Sequence, residues 1–184
     1  PWSSSYRDSS RCYPPCLDSR VTQAGGGADR TQTVQIGIDV GFLARDNRGM
    51  GRYVRNVLRV MLSGTPQPDF VLFCRDERDM HPTREALGQA GLDTAGPMLT
   101  SLAGLKGRRT DVCWYPWNRI DRPAVGRQNV VTLHDVAPFA FPYRSILRRL
   151  DQMADERRLR RSAAIADLIY TDSEFSKREI SRYL

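Results

Sequence analysis

Short runs of apolar residues alternate along this chain with stretches that read as helices. The apolar runs are rich in β-branched and aromatic residues and are bounded by Gly, Pro or Asp, a pattern that predicts strands. They lie at 34–40, 70–74, 111–115, 129–133 and 168–171. The intervening stretches predict helices, the first from a stripe of apolar positions at helical spacing. They lie at 51–63, 84–90, 144–166 and 174–182.

This alternation predicts an α/β fold, a Rossmann-like parallel sheet with helices on both faces. In such a sheet, ligands bind beyond the carboxyl ends of the strands. Three motifs follow predicted strand ends: a glycine loop at 48–53, the pair His134-Asp135, and the pair Asp172-Ser173. We therefore expect these three segments to converge on one crevice.

Residues 1–32 have a different composition from the rest of the chain. They are rich in Ser, Gly, Pro and Arg and show neither strand nor helix periodicity. This composition predicts a flexible tail. The folded part should then cover 33–184, about 150 residues, which is enough for one hydrophobic core.

The formal net charge of +7 favours anionic partners, such as nucleic acid, a phosphorylated substrate or anionic lipid. An ordinary arginine-rich surface explains it equally well. No apolar run approaches the roughly 20 residues of a membrane-spanning helix. Nucleic acid is not expected as a partner, because the arginines are scattered along the chain and no recognised binding motif is present.

Seven arginines lie in the predicted helix 144–166, which makes it the most basic element. They are Arg144, Arg148, Arg149, Arg157, Arg158, Arg160 and Arg161. A solvated helix face explains this pattern, and so does docking to an anionic membrane surface.

The cysteines and histidines do not predict a metal site. Cys12 and Cys16 lack a second pair at zinc spacing, and only two histidines are present. Cys74 and Cys113 lie in predicted strands, where we expect reduced core thiols. The cysteine pattern is typical of the cytosol rather than of an oxidising compartment.

The glycine loop joins the first strand to the first predicted helix. Gly49 and Gly51 allow a ligand to approach the backbone closely, and a helix N-terminus offers free N–H groups to a phosphate. A plain glycine-containing loop is the alternative. Neither a dinucleotide-binding G-x-G-x-x-G turn nor a Walker A loop is present.

The other two motifs also allow two interpretations each. His134 at a strand end could donate to a substrate hydroxyl or carbonyl with Asp135 orienting it, or it could be a structural histidine. Asp172 or Ser173 could cap the last helix, with a second capping pattern at Ser176. Alternatively, that helix N-terminus points into the crevice.

Four segments together resemble the N-terminal domain of family 4 glycosyltransferases, the retaining type with two Rossmann-like domains. The matching segments follow the family's order and approximate spacing. They are 36–39, 48–54, 130–138 and 166–176.

The resemblance implies catalytic residues at His134, close to the transferred sugar, and at Asp135, its partner. It also implies that the glycine loop and the start of the last helix bind substrate. The substrate-binding residues would be Gly49, Met50, Gly51, Arg52, Tyr53, Ser173 and Glu174.

The function implied by the resemblance is transfer of a sugar from a nucleotide-diphosphate sugar to a hydroxyl of a glycan or lipid-linked acceptor. No cofactor or obligatory metal is expected. This domain would bind the acceptor in the cytoplasm, or at the inner face of the membrane in contact with anionic lipid. We expect the family's C-terminal donor domain to be absent from this chain, and the chain to be inactive without that domain or a partner chain. One alternative is a non-catalytic or decayed fragment that acts as an interaction module. A basic nucleic-acid-binding domain is the other alternative, and it rests on the net charge alone.

Overall fold

A computed structural model of the 184-residue chain describes most of the predicted folded part. The described ranges are 33–64, 68–92, 98–120, 124–141 and 145–184, without the side chain of Ile146. The predicted tail 1–32, with Cys12 and Cys16, lies outside the described residues, as does Arg144.

Six strands and five α-helices are present in the described residues. The strands are β1 Gln35–Asp39, β2 Asp69–Cys74, β3 Met98–Ser101, β4 Thr110–Tyr115, β5 Gly126–Thr132 and β6 Leu168–Tyr170. The helices are α1 Gly49–Ser63, α2 Met80–Gln89, α3 Ala137–Ala140, α4 Ile146–Ile165 and α5 Glu174–Tyr183. A 3-10 turn, Glu77–Asp79, precedes α2.

All six strands form one parallel sheet in the order β3-β2-β1-β4-β5-β6. The chain therefore builds outward in one direction from β1 to β3 and then in the other from β4 to β6. Between β1 and β4 the direction reverses, which is where ligands of open parallel sheets bind. The predicted parallel α/β fold is confirmed.

Two hydrophobic clusters lie on the two faces of the sheet. On one face, Ile38 and Leu72 pack with Val54 and Leu58 of α1 and Leu87 of α2. On the other face, a second set of strand residues packs with helices α4 and α5. That set includes Phe73, Cys113, Val131, Leu159 and Ile180. Both faces are thus covered by helices, as predicted.

The prolines account for part of the difference between predicted and observed elements. Pro138 lies in the first turn of the short helix α3, which was not predicted, at a place where no helical N–H is required. Helix α2 begins at Met80 rather than near residue 84, with Pro82 in its first turn. The prolines therefore mark helix starts here.

Strand β3 was not predicted. It spans four residues, Met98 is exposed, and the strand pairs on one side only, with β2. Such a short edge strand leaves little alternating pattern in the sequence.

The two described cysteines are free thiols buried in the core, as predicted. Burial raises the pKa of the Cys113 thiol to about 12. In the described ranges, no helix combines the length and apolar character needed to cross a bilayer.

Candidate functional site

The carboxyl ends of the strands bring the three predicted motifs together. The His134 ring follows β5 and lies edge-on to the Tyr53 ring of α1, with centroids 4.9 Å apart. On its other side, His134 Nδ1 is 3.0 Å from Oδ2 of Asp172, which follows β6. Tyr53 also contacts Trp114 of β4, and we call Tyr53, Trp114, His134 and Asp172 the ring cluster.

Both nitrogens of the His134 ring are engaged. Nδ1 faces the Asp172 carboxylate, and Nε2 lies 3.1 Å from the carbonyl oxygen of Pro116. Carboxylate and carbonyl oxygens only accept hydrogen bonds, so both nitrogens can donate at once only in the protonated imidazolium. The side chain is 11% exposed. Both ring nitrogens therefore face protein oxygens, and whichever nitrogen carries a proton already has an acceptor.

The backbone of His134 is held from two further elements. Its N–H donates to Oδ1 of Asn118 at 2.6 Å, and its carbonyl oxygen accepts from Oγ of Ser176 at 2.7 Å. Asn118 adopts a left-handed conformation with φ of 59°, which asparagine tolerates better than most residues. This conformation directs the Asn118 side chain to the His134 backbone and so fixes the loop that follows β4 against the end of β5.

Asp135 does not orient the His134 ring, so that expectation is wrong. Its Oδ1 accepts from the N–H of Ala137 at 3.1 Å, next to the start of α3. The carboxylate against the ring belongs to Asp172 instead. Adjacent residues after a strand point in different directions, whereas the ends of β5 and β6 are neighbours in the sheet.

Tyr53 is the one residue of the glycine loop that belongs to the ring cluster. Burial raises the pKa of its hydroxyl, and the neighbouring Tyr170 and Asp172 raise that pKa further. A hydrogen bond with the Thr132 side chain lowers the pKa in part. Thr132 also accepts from Nε1 of Trp114 at 2.8 Å.

The glycine loop departs from the phosphate-binding arrangement. The Asp46 carboxylate accepts from the N–H of Arg48 at 2.8 Å and from that of Gly51 at 3.2 Å. A Cβ at Gly51 would overlap the carbonyl oxygen of Asp46, whereas a Cβ at Gly49 would meet open space. Gly51 is therefore required by the close approach of the loop. An acidic side chain already occupies the N-terminus of α1.

The remaining predicted substrate-binding residues lie in different environments. Ser173 is the N-cap of α5, accepting from the N–H of Ser176 at 3.0 Å. Glu174 is exposed, 3.9 Å from Nζ of Lys177. Arg52 is exposed on α1, and Met50 lines the cleft described next.

A cleft of about 400 Å³ opens at the same edge, beside the ring cluster. The Phe42 and Trp117 rings meet edge-to-face in its wall, with centroids 5.7 Å apart. The Arg119 guanidinium lies 4.4 Å from the Phe42 ring centroid. The cleft is further lined by Asp46, Asp135, Asp155, Arg45 and Arg158.

Charges around the cleft are balanced. Its lining holds three arginines and three aspartates. Arg158 pairs with Asp155 and Arg45 pairs with Asp79, both at 2.8 Å. Aromatic surface combined with oriented carboxylates and guanidinium groups suits a ligand with hydroxyl groups, which both donate and accept hydrogen bonds.

Sequence reasoning missed Asp172 as the partner of His134, and Asp46, Trp117, Asn118 and Arg119 as site residues. The signal for three of them was present, because Trp117, Asn118 and Arg119 directly follow a strand that was predicted. Applying the rule on strand ends to that strand would have identified them.

No group of three or more His, Cys, Asp or Glu side chains that could hold a metal ion occurs in the described part of the chain. Comparison with protein-family models, curated proteins and solved structures finds no match.

Proposed function

We propose that this chain is the acceptor-binding domain of a glycosyltransferase, one that moves a sugar from a nucleotide-sugar to a hydroxyl acceptor in glycan or polysaccharide synthesis. The observation that carries the proposal is the cleft at the carboxyl edge. It joins aromatic surface to a rim of aspartates and arginines. The order of the motifs along the chain supports it through the resemblance described above.

The charge arrangement favours a neutral, hydroxylated acceptor in the cleft over a phosphate. At the start of α1, Asp46 takes the N–H groups that would bind an anion. A phosphate there would meet the carboxylate at close range, and like charges repel strongly where water is partly excluded. The nucleotide diphosphate would then be held by the C-terminal donor domain that the resemblance implies, rather than by the glycine loop.

His134 and Asp135 are proposed here to act from different positions. Asp135 lines the cleft and can accept from an acceptor hydroxyl. The His134 ring can donate to a sugar only after its contact with Pro116 or Asp172 opens.

Ligand-observed saturation-transfer NMR on the 184-residue chain tests the proposal with a panel of neutral mono- and disaccharides. We expect at least one saccharide to bind, and UDP and GDP not to displace it. Asp135→Asn should weaken that binding about tenfold, because one charge-assisted hydrogen bond is lost. The amide oxygen can still accept from Ala137, so α3 should persist.

Asp151→Asn is the matched control, an exposed acid of α4 outside the cleft. It should bind the saccharide as the parent chain does. If no saccharide binds the folded chain, or if the Asp135 and Asp151 variants behave alike, the proposed acceptor site is wrong.

A non-catalytic interaction module is the alternative, and one observation favours it. Phe141 and Phe175 are exposed and line an apolar hollow of about 170 Å³ between α3 and α5. Exposed aromatic side chains of this kind mark protein-binding surfaces. A folded chain that ignores every saccharide would favour this alternative.

A further inference from the structure

Helix α4 lies on the sheet with one side only. Among residues 147–165, only Gln152, Leu159 and Ser162 are buried. At about 100° per residue, these three positions fall within roughly 80° of one another around the helix axis. Over the rest of its circumference the helix is exposed or half-buried.

The opposite side of α4 carries a continuous stripe with alternating spacings of three and four residues. The outer stripe consists of Leu147, Leu150, Ala154, Arg157, Arg161 and Ala164. Leu147 is 75% exposed and Leu150 is 60% exposed, and Met153 beside them is 42% exposed. The first half of the stripe is therefore apolar and unpacked, and the second half is basic.

The acidic residues of α4 lie off this stripe. Asp155 pairs with Arg158 at 2.8 Å on the side that lines the cleft. Glu156 accepts from Nε2 of Gln152 at 3.1 Å, on the inner side. Asp151 lies about a quarter turn from the centre of the stripe. Within the described ranges, neither Arg157 nor Arg161 has an ion-pair partner.

We propose that the outer stripe of α4 docks on an anionic lipid surface. Leu147, Leu150 and Met153 would enter the boundary between headgroups and acyl chains, while Arg157 and Arg161 contact lipid phosphates. A helix that lies in a membrane interface combines these two properties on one side. The stripe is about 26 Å long at roughly 1.5 Å per residue, enough to span several headgroups.

The chemistry of the stripe favours lipid over two other occupants. Nucleic acid would use the two arginines but gain nothing from exposed leucines. A second copy of the helix would place arginines against arginines or against leucines, and the stripe carries no acid to pair with them. Only an anionic and apolar surface complements both halves.

Vesicle co-sedimentation of the full chain tests the proposal. Vesicles of phosphatidylcholine with phosphatidylglycerol are compared with vesicles of phosphatidylcholine alone. We expect binding to the anionic vesicles and little to the neutral ones. Arg157→Glu with Arg161→Glu should weaken binding about thirtyfold or more, since each arginine near the surface contributes about fivefold and the new carboxylates are repelled by the lipid phosphates.

The matched control is Arg84→Glu with Arg127→Glu, which reverses two exposed arginines on α2 and β5. Both double variants lower the net charge by the same four units, from +7 to +3, since each Arg→Glu changes it by two. The control should lose much less affinity. Leu147→Asn with Leu150→Asn should weaken anionic binding at least tenfold without changing the charge. Circular dichroism checks that each variant folds.

Three results would overturn the proposal. If the stripe and control charge variants bind anionic vesicles equally well, net charge alone determines the binding. If the leucine variant binds vesicles as the parent chain does, and duplex RNA displaces the chain from the vesicles, the stripe is a nucleic-acid-binding surface instead. A parent chain that ignores vesicles but dimerises through Leu147 and Leu150 would indicate a second copy. None of these readouts depends on saccharide binding.

Discussion

Helices α1 and α5 both begin at the carboxyl edge of the sheet, and their N-termini are satisfied in different ways. Helix α5 begins with Ser173, a neutral N-cap that accepts from the N–H of Ser176. Helix α1 has no side-chain cap at Arg48; the Asp46 carboxylate reaches forward from the preceding loop and accepts two N–H groups. A hydroxyl satisfies one terminus, and a charge satisfies the other.

The neutral cap of α5 only completes the hydrogen bonds of the helix, whereas the negatively charged cap of α1 also prevents an anion from binding there. The Ser173 cap belongs to a short chain of hydrogen bonds, which we call the relay. Ser173 Oγ donates to Ser176 Oγ, and Ser176 Oγ donates to the carbonyl oxygen of His134. The Asp46 cap places negative charge where the positive end of the α1 dipole would attract an anion. Gly51 thus allows the Asp46 segment to approach the start of α1 closely enough for its carboxylate to accept these N–H groups.

Among variants at these two helix N-termini, we expect Gly51→Ala to lower the free energy of unfolding most. The added methyl group would overlap the Asp46 carbonyl oxygen, so the loop must move and the charged cap is lost. We expect the free energy of unfolding to fall by about 2–4 kcal/mol. Urea denaturation measures it. Gly49→Ala is the matched control, since its methyl group meets open space, and should change stability by less than about 1 kcal/mol. Equal losses in both variants would contradict the packing role of Gly51.

Ser173→Ala should have the next largest effect. Loss of a side-chain N-cap costs about 1 kcal/mol. Loss of the relay also frees Ser176 Oγ from one partner, so hydrogen exchange at the start of α5 should accelerate. Ser173→Asp, which retains a capping oxygen, should restore most of the stability. No change in unfolding free energy would mean that this cap contributes nothing to the fold.

Asp46→Asn is expected to cost less, about 0.5–1 kcal/mol, because the amide oxygen still accepts while the charge is removed. The loss should shrink in high salt, which screens the interaction of the charge with the helix dipole. Thermal unfolding at low and high salt measures both effects. A loss that is independent of salt would show that hydrogen-bond geometry, rather than charge, closes the α1 terminus.

The smallest effect concerns Tyr53, which links α1 to the ring cluster beside α5. Its pKa is raised above the usual value near 10. Above that pH the unfolded chain ionises while the folded chain keeps its proton, so stability falls as pH rises through the folded pKa. Tyr53→Phe has no such group, so its free energy of unfolding should fall less steeply between pH 9 and 11 than that of the parent chain. The two slopes should differ by less than about 1.4 kcal/mol per pH unit, which is the limit for one ionising group. Paired urea denaturation of both chains across this range is the measurement. Parallel decline in both chains would contradict the buried state of Tyr53.

The sequence was sufficient to predict the central strands and most helices, because strands buried on both faces leave dense apolar runs such as 70–74 and 129–133. It was insufficient at β3, a four-residue edge strand with an exposed Met98. The start of α2 and the whole of α3 were also not predicted, because a proline in a first helical turn, such as Pro82 or Pro138, gives the same local signal as a proline in a loop.

The sequence was sufficient to predict where the site lies in the fold, but not which side chains contact one another there. Strand ends brought His134, Tyr53 and Asp172 to one edge, as the alternation of elements implied. Which carboxylate faces the His134 ring depends on the neighbour relation of β5 and β6, which a linear motif such as His134-Asp135 does not encode. Likewise, the Asp46 cap depends on a loop path that brings the chain back to Gly51.

The position of β1 in the sheet also affects how the chain can fold during synthesis. Ile36 pairs with Val112, 76 residues further along, while its other neighbour Phe70 follows much sooner. A nascent chain that ends before β4 therefore holds its first strand with one edge unpaired. Pairings between distant segments form slowly because a long loop must close first. During translation, that open edge would be the segment most exposed to chaperones and to self-association.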